Sequence, residues 1–341
     1  MDAFITVSLL SLMNYGEVVD NQPTYGQRAL HTYTNIVRVD PMAWQDEYPC
    51  NTNSWTADER TPKAPLHYHI GLTEIAQLHS VDLERTDTFS HDSSDGTSFS
   101  ERVWPYYEGN TIGENIAAGY SDSWAAVVDG WMCSDGHREN IMAADFEDLG
   151  AGVEAKYYTQ DFGGGANTGP YPVAMGVHAP KKPSAQVTFY ATWSDTAAPT
   201  SLAVETPEAC LQMSQLSGES DQGAWSLETD SDSGCVAYRF YYETASGSTG
   251  SLPTNGSYQY GEGCALWVSD TSGICEPEAP PQKPGDTGGL TDTGEEEWQR
   301  PPLNNDADQT TGCACSATVQ PSHAWTMLLF AVPVLLRRRT R

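Results

Sequence analysis

Apolar side chains in the first 200 residues recur first at helical spacing and later at strand spacing. Three segments place apolar residues three or four positions apart, as an amphipathic helix requires: residues 26–38, 71–84 and 122–132. Three later segments are strand-like: residues 149–158, 171–179 and 186–194. Helices clustered early and strands clustered late predict an α+β domain around an antiparallel sheet, which we place at residues 24–196.

A second block of strand signals follows at residues 200–275. The segment VAYRFYYET alternates and is rich in aromatic residues, and SYQYGEGCALWVS follows a turn region rich in Pro, Gly and Ser. The block contains no histidine and no group of carboxylates that suggests chemistry. We therefore predict a small β-rich module, stapled by disulfides, with a binding or spacer role.

The eight cysteines are dispersed along the chain, at positions 50, 133, 210, 235, 264, 275, 313 and 315. This spacing disfavours a zinc ribbon or zinc finger and, in an exported chain, favours disulfides. Sequence alone does not fix the connectivity. We expect Cys50 to pair with Cys133, and we expect local pairs in the second block, Cys210 with Cys235 and Cys264 with Cys275.

Charge narrows the set of partners. The chain has 46 Asp and Glu against 17 Lys and Arg, a formal net charge of −29, which repels phosphate backbones and anionic membrane surfaces. Nucleic acid is therefore excluded as an expected partner.

Part of the acidity lies in residues 276–312, which are rich in Pro and Gly and predict a disordered, self-repelling stalk.

Both ends of the chain resemble targeting segments. Residues 1–23 contain an apolar run like that of a signal peptide, but no Lys or Arg precedes it and no clear cleavage site follows. A truncated signal segment, a wrongly assigned start codon and a buried strand all remain open.

Residues 313–341 combine GCACS, a polar spacer, an apolar run at 324–336 and terminal arginines. The run is shorter than the roughly 20 residues of a spanning helix, which favours a transient anchor over a plain tail helix.

Three segments in the middle of the chain carry the candidate chemistry: FSHDSSDG (89–96), TIGENIAAGY (111–120) and GWMCSDGHRENIM (130–142). They contain His91, Glu114 and His137. Imidazole and carboxylate groups that meet in a cleft can bind a divalent cation such as zinc, or share a proton. Glu114 lies 23 positions from each of the two histidines, so the three residues form a site only if the fold brings them together.

Known catalytic motifs are absent from the sequence. It has no GxSxG elbow, HExxH pair, P-loop or Rossmann fingerprint. Ser93 and Ser94 lie near His91, and Ser134 lies near His137, but adjacency in sequence does not establish a nucleophile and its base. Simpler roles also stand: Glu114 as an acceptor of local hydrogen bonds, His137 with Arg138 as a pair that fixes a loop, and His79 as a packed core histidine.

An ordered series of motifs resembles the bacterial branch of the CAP superfamily, the secreted proteins grouped with plant pathogenesis-related proteins and venom allergens. The series comprises Asn35 with Arg38, AQLHSVD (76–82), FSHDSSDG, Arg102, GENIA, Trp131, SDGHRENIM, LGAGV and YYTQDFG. The resemblance implies a three-layer α-β-α sandwich with a central cleft, in which eukaryotic members place two histidines and two glutamates that can bind zinc.

The resemblance carries over to the candidate site only in part. His91 matches the first histidine and Glu114 matches the glutamate of the Gly-Glu-Asn motif. Ser134 stands where those members have the second glutamate, and Tyr157 stands where they have the second histidine. His137, from the bacterial motif, is the candidate for the missing imidazole.

The C-terminal pattern is similar to the sorting domains of myxobacterial surface proteins. That similarity implies cleavage near Cys313 or Cys315, with lipid on a cysteine thiol, engagement of membrane and sorting machinery, and display at the cell surface.

We therefore expect an exported, non-enzymatic binding protein for a divalent ion, a small lipid-like ligand, or both, with cell-envelope components as further partners. The alternatives are a hydrolase that uses His91, Glu114 and His137 as acid-base groups, and a structural or adhesive protein with an empty cleft.

Overall fold

The computed structural model describes residues 23–44, 50, 52–166, 171–231, 235–261 and 275, together with the backbone of 314–321. The predicted signal segment up to residue 22, Cys264, the acidic segment 276–312, Cys313 and the apolar run 324–336 lie outside these residues. None of the helices in the described part of the chain has both the length and the apolar character needed to cross a membrane.

The helices follow the periodicity of the first block. They are α1 (Tyr25–Val39), α2 (Ile70–Thr86), α3 (Phe99–Val103), α4 (Ser123–Ala125), which continues as a π-helical segment (Ala126–Trp131), and α5 (Asp135–Met142). Short 3₁₀ turns lie at Thr52–Ser54 and Trp104–Tyr106. Helix α1 begins with a capping box, because the Thr24 side chain accepts from the Gln27 N–H and the Gln27 side chain accepts from the Thr24 N–H.

The first sheet has the order β1-β3-β4-β2-β14. Its strands are β1 (His67–Tyr68), β2 (Thr111–Ala118), β3 (Asp148–Glu154), β4 (Tyr157–Gly164) and β14 (Ala314–Pro321). Only the β1–β3 pair is parallel. Strand β14 pairs with β2 over eight residues and places Cys315 opposite Ala117 in the backbone register.

Helices α1 and α2 contact opposite faces of strand β3. A side chain at Gly150 or Gly152 would collide with the backbone of Leu72 or Ala76, so these glycines allow α2 to approach the sheet closely. The alternate residues of β3, Leu149 and Ala151, belong to the same apolar cluster as Leu30 and Ile36 of α1. Alternate residues of β3 therefore face different helices, with the glycines towards α2 and the apolar side chains towards α1.

Two further sheets contain the remaining strands. The second has the order β5 (Val173–Ala179), β6 (Gln186–Ser194), β10 (Gln222–Asp230) and β9 (Ser214–Gly218). The third contains β12 (Thr249–Leu252), β11 (Val236–Glu243), β7 (Ser201–Glu205) and β8 (Cys210–Gln212), with β13 (Tyr258–Tyr260) on β11. Strands β6 and β10 pair along their whole length, so one sheet joins residues from both predicted blocks.

The two blocks also meet at a buried arginine. Arg28 of α1 is buried without a carboxylate partner among the described residues, and its Nη1 donates to the Gly176 carbonyl (3.2 Å) and to the Tyr238 hydroxyl (3.0 Å). Its guanidinium lies 3.7 Å from the centre of the Tyr258 ring, a cation–π geometry. The Tyr238 hydroxyl also contacts His178 Nδ1 at 2.8 Å. These contacts bind the third sheet to α1.

The disulfides match the expectation in one case and differ in the others. Cys50 pairs with Cys133 as predicted (Cα–Cα 5.0 Å). Cys210 pairs with Cys275 (Cα–Cα 6.4 Å), so the expected pairs Cys210–Cys235 and Cys264–Cys275 are wrong. The reason is the strand order: β7 lies between β8, which carries Cys210, and β11, which begins just after Cys235.

Peptide mapping of the non-reduced protein tests this connectivity. We expect linked peptides that contain Cys50 with Cys133 and Cys210 with Cys275, both of which disappear on reduction. A peptide that links Cys210 to Cys235 would contradict the strand order.

The Tyr238→Phe variant tests the contact between the two blocks. Loss of the hydroxyl removes the acceptor for Arg28 and the partner of His178, so we expect the free energy of unfolding to fall by about 1–3 kcal/mol in urea. Tyr171→Phe is the control, because Tyr171 is 57% exposed and should change stability little. Equal effects of the two variants would show that Tyr238 does not join the blocks.

Candidate functional site

The candidate site is centred on Glu114, which lies on strand β2 and is completely buried. Its Oε1 accepts a hydrogen bond from His91 Nδ1 at 2.7 Å, and its Oε2 accepts from Arg102 Nη2. The two predicted residues His91 and Glu114 are therefore brought together by the fold. His91 is the most exposed of these three residues, with 19% of its side chain accessible.

The loop that carries His91 is fixed by local hydrogen bonds. Ser94 binds the Asp82 carboxylate through both its N–H (2.7 Å) and its hydroxyl (2.6 Å), which ties the loop to helix α2. Arg102 Nη1 donates to the His91 carbonyl (2.8 Å) and to Ser93 Oγ (3.2 Å). The segment FSHDSSDG thus forms a turn that presents the His91 ring to Glu114.

Helix α3 holds Arg102 in position. It starts with a second capping box, in which Ser98 and Glu101 exchange side-chain and backbone hydrogen bonds. Arg102 projects from its last turn and is buried, with 5% of the side chain exposed. The guanidinium therefore links the loop, the helix and strand β2.

Asp161 of strand β4 completes the cluster, and sequence reasoning did not single it out. It is opposite Glu114 in the antiparallel register, both its carboxyl oxygens are buried, and its carboxyl group can share a hydrogen bond with that of Glu114. The motif YYTQDFG contains this residue, but the motif does not reveal which strand lies beside β2. Register, rather than residue type, identifies Asp161.

Burial changes the protonation of the cluster. Burial raises the pKa of Glu114 to about 7, although Arg102 acts in the opposite direction. Burial and the nearby Glu114 raise the pKa of Asp161 well above its ordinary value. Two adjacent buried carboxyl groups cannot both be ionised without a large cost, so one of them retains a proton at neutral pH.

The imidazoles near the cluster are neutral at neutral pH. Burial, followed by the charge of Arg102, lowers the pKa of His91 to about 4 and that of His79 to about 3. His79 is buried on α2, where its Nε2 lies 3.0 Å from the Ser90 carbonyl and 4.0 Å from Glu114 Oε2. Its packing agrees with the role of a core histidine.

His137 lies on the other face of the first sheet. Asn115, the neighbour of Glu114 in β2, points to that face and donates to the His137 carbonyl (3.1 Å) and to Gln160 Oε1 (3.0 Å). Asn140 of α5 donates to Asn115 Oδ1 (2.9 Å). The His137 ring contacts Ser134 Oγ through Nδ1 (2.6 Å). The fold therefore does not bring His137 to His91 and Glu114.

The residues at the two positions that depart from the family pattern bind elsewhere. Ser134 precedes α5 and contacts His137, and the Tyr157 hydroxyl donates to Asp87 (3.0 Å). Arg138 binds Glu59 (3.0 Å) and Asp135 (2.7 Å), as expected for a residue that fixes a loop.

The cluster does not fit a preformed metal centre. In the part of the chain that the structure describes, the one group of three possible ligand residues whose ligand atoms lie within 4.8 Å of one another is Glu205, Cys210 and Cys275, and its cysteines form a disulfide. At Glu114, Arg102 and His91 already occupy the two carboxylate oxygens. Zinc binding by His91, Glu114 and His137 stays a prediction.

Two concave regions lie near the residues discussed. A groove of about 260 Å³ beside Arg102 and His79 is lined largely by polar and charged residues, among them Asp82, Arg85 and Asp95. A larger cavity of about 390 Å³ has walls from both blocks of the chain. It is lined by Tyr68, His69, Ile70, Tyr171, Pro172, Val173, Ala174, Tyr242, Ser251, Leu252 and Thr254.

The Glu114→Gln variant tests the ion pair in the cluster. The amide would leave the buried charge of Arg102 without its partner, so we expect the free energy of unfolding to fall by about 3–5 kcal/mol. The matched control is Arg85→Gln, which breaks an ion pair with Asp82 whose arginine is 69% exposed and should cost less than about 1 kcal/mol. Urea unfolding followed by circular dichroism measures both, and similar losses would contradict the buried pair.

Comparison with known proteins finds similarity to a family in the first block. Residues 31–177 match the model of the cysteine-rich secretory protein family, CAP. The uncharacterized membrane protein YlbC of Bacillus subtilis is 40% identical over 100 residues, which is 29% of each chain. The uncharacterized protein YkwD of the same organism is 36% identical over 101 residues, 29% of this chain and 39% of its own. The match thus spans less than two fifths of either relative.

Three solved structures resemble part of this chain at low overall similarity. An extracellular protein containing an SCP domain from Bacillus anthracis is 30% identical, with 39% of this chain and 40% of that chain covered and a TM-score of 0.30. An outer surface protein from Borrelia burgdorferi is 18% identical, with coverages of 39% and 89% and a TM-score of 0.28. A cysteine-rich secretory protein from Staphylococcus aureus is 16% identical, with coverages of 42% and 41% and a TM-score of 0.28.

Proposed function

We propose that this chain is an exported binding protein with a CAP domain at residues 31–177, which match that family's model, and that it holds a small amphipathic molecule between this domain and the strands that follow it. The observation that carries the proposal is the cavity of about 390 Å³ at this seam. Its volume falls within the range of about 300–1,000 Å³ that is typical of small-molecule sites.

The walls of the cavity are mainly apolar and aromatic. Tyr68 and Val173 come from the CAP domain, whereas Tyr242 and Leu252 come from β11 and β12. Two large apolar residues that line it, Ile70 and Tyr171, are 50% and 57% exposed. Apolar surface that remains exposed at a concave site is characteristic of a binding surface.

The polar groups that line the cavity favour an uncharged ligand. His69 Nδ1 accepts a hydrogen bond from the Leu72 N–H (3.2 Å), and burial lowers the pKa of His69, so its ring is neutral and carries its proton on Nε2. Ser251 and Thr254 contribute hydroxyl groups. None of the described residues that line the cavity is Lys or Arg, so an anionic head group would lack a counter-ion among them. An alcohol or a ketone with an apolar body fits these walls.

The acid-base cluster supports binding more than catalysis. Glu114 and Asp161 are fully buried, so neither carboxyl group can reach a polymer or a peptide in this arrangement. A general acid or base must come within hydrogen-bonding distance of the group that it protonates or deprotonates. The hydrolase alternative has no comparable observation in its favour.

Export is proposed on the basis of the disulfides. The pairs Cys50–Cys133 and Cys210–Cys275 require an oxidising compartment to form and persist. Contacts of α1 and α2 with opposite faces of strand β3 support the three-layer α-β-α arrangement. Attachment through the C-terminal segment, and display at the cell surface, remain part of the proposal.

Titration of the full chain with Nile red, an uncharged dye, tests the proposed site. We expect saturable fluorescence enhancement, displaced by 1-decanol more effectively than by decanoate. Tyr171→Ala and Leu252→Ser should each weaken binding by about tenfold or more, because each removes apolar surface equivalent to about 1–3 kcal/mol.

The control is Leu78→Ser, a change to an equally exposed apolar residue that lines the other groove (57% exposed). It should leave dye binding unchanged. Absence of saturable binding, or an equal loss with Leu78→Ser, would rule out the cavity as the site.

A further inference from the structure

The position beside Glu114 that a bound cation would take is filled by a side chain. Arg102 Nη2 contacts Glu114 Oε2, and Arg102 Nη1 contacts the His91 carbonyl (2.8 Å). The other oxygen of Glu114 is held by the His91 ring at 2.7 Å. The guanidinium thus touches both residues that the family resemblance assigns to an ion.

We infer that Arg102 serves as the resident cation of this cluster. His91, Glu114 and Asp161 then form a buried cluster with a guanidinium instead of a divalent-metal site. The cluster connects the loop at 89–96 and helix α3 to Glu114 of strand β2, and Asp161 of strand β4 lies opposite Glu114. This inference does not depend on the proposed ligand cavity.

Three features keep the guanidinium in place. The capping box of Ser98 and Glu101 fixes the start of α3, and Ser93 Oγ accepts from Arg102 Nη1 at 3.2 Å. The side chain of Arg102 is only 5% exposed. An incoming ion would have to break a charge-assisted hydrogen bond in a site of low dielectric.

Electrostatics also opposes a second cation. A divalent ion bound at Glu114 would lie within a few ångströms of the arginine charge, and like charges at such distances repel strongly where water is excluded. Asp161 is next to Glu114 and shares a hydrogen bond with it when one of the two is protonated, so the guanidinium is the principal source of positive potential for both carboxyl groups. An ion could take this role only if the arginine were absent.

The same geometry predicts a gain of function on removal of Arg102. Without the guanidinium, the His91 ring and two carboxyl groups would line the vacated space, with His79 Nε2 also 4.0 Å from Glu114 Oε2, and such nitrogen and oxygen ligands suit zinc. Arg102→Met retains an unbranched side chain but removes the charge, and Met is a flexible residue that adapts to irregular spaces.

Calorimetric titration of the full, disulfide-bonded chain with zinc chloride alone is the test. In the wild type we expect no binding heat that depends on His91 or Glu114. In Arg102→Met we expect one saturable site, at least tenfold tighter than any binding by the wild type, that disappears in Arg102→Met/His91→Ala. Arg85→Met, at an exposed arginine near the same groove, should behave as the wild type does.

Two outcomes would overturn the inference. The first is zinc binding by the wild type that is lost in His91→Ala or Glu114→Gln. The second is a folded Arg102→Met protein, verified by circular dichroism, that gains no zinc site.

Thermal unfolding of the wild type provides a measurement that does not depend on the folding of Arg102→Met. A metal that binds the native state raises the melting temperature by mass action. We expect zinc to leave the wild-type melting temperature unchanged, and a zinc-dependent rise that is absent in His91→Ala would contradict the inference. Arg102→Lys, which retains the charge, should likewise gain no zinc site.

Discussion

Successive side chains of a β-strand point to opposite faces of the sheet, and strand β2 applies this constraint to two adjacent polar residues. Glu114 points towards α2 and α3, where it meets His91 and Arg102. Asn115 points towards α1 and α5, where it meets Gln160 and Asn140. A single Gly-Glu-Asn motif therefore supplies the central polar residue on each face of the sheet. The polar contacts on the two faces of this sheet follow from this alternation.

Sequence patterns predicted the local elements and the order of motifs well. Helical spacing predicts α1 and α2. The resemblance groups His91 with Glu114, and the two side chains are in contact in the structure. These successes have a common physical basis. An amphipathic period reports which residues share a face, and an ordered set of motifs reports a family fold, without any knowledge of strand pairing.

The failures all concern information that depends on pairing. Asp161 was missed because its proximity to Glu114 comes from the register of β4 on β2. His137 was grouped with His91 because sequence spacing does not tell which face of the sheet a helix covers. Cys210 was paired with Cys235 because they are close in sequence, although β7 lies between the strands concerned. The pairing of β6 with β10 likewise joins residues on the two sides of the boundary that composition suggested.

The pairing of β14 with β2 changes the geometry of any attachment to the cell envelope. Strand β14 is the edge strand of the first sheet, so the chain that follows it starts from that edge. Only three peptide units, about 10 Å of extended chain, separate Pro321 at the end of β14 from the start of the apolar run at residue 324. A chain attached through that run would hold the edge of its first sheet close to the envelope surface, with little freedom to reach outward.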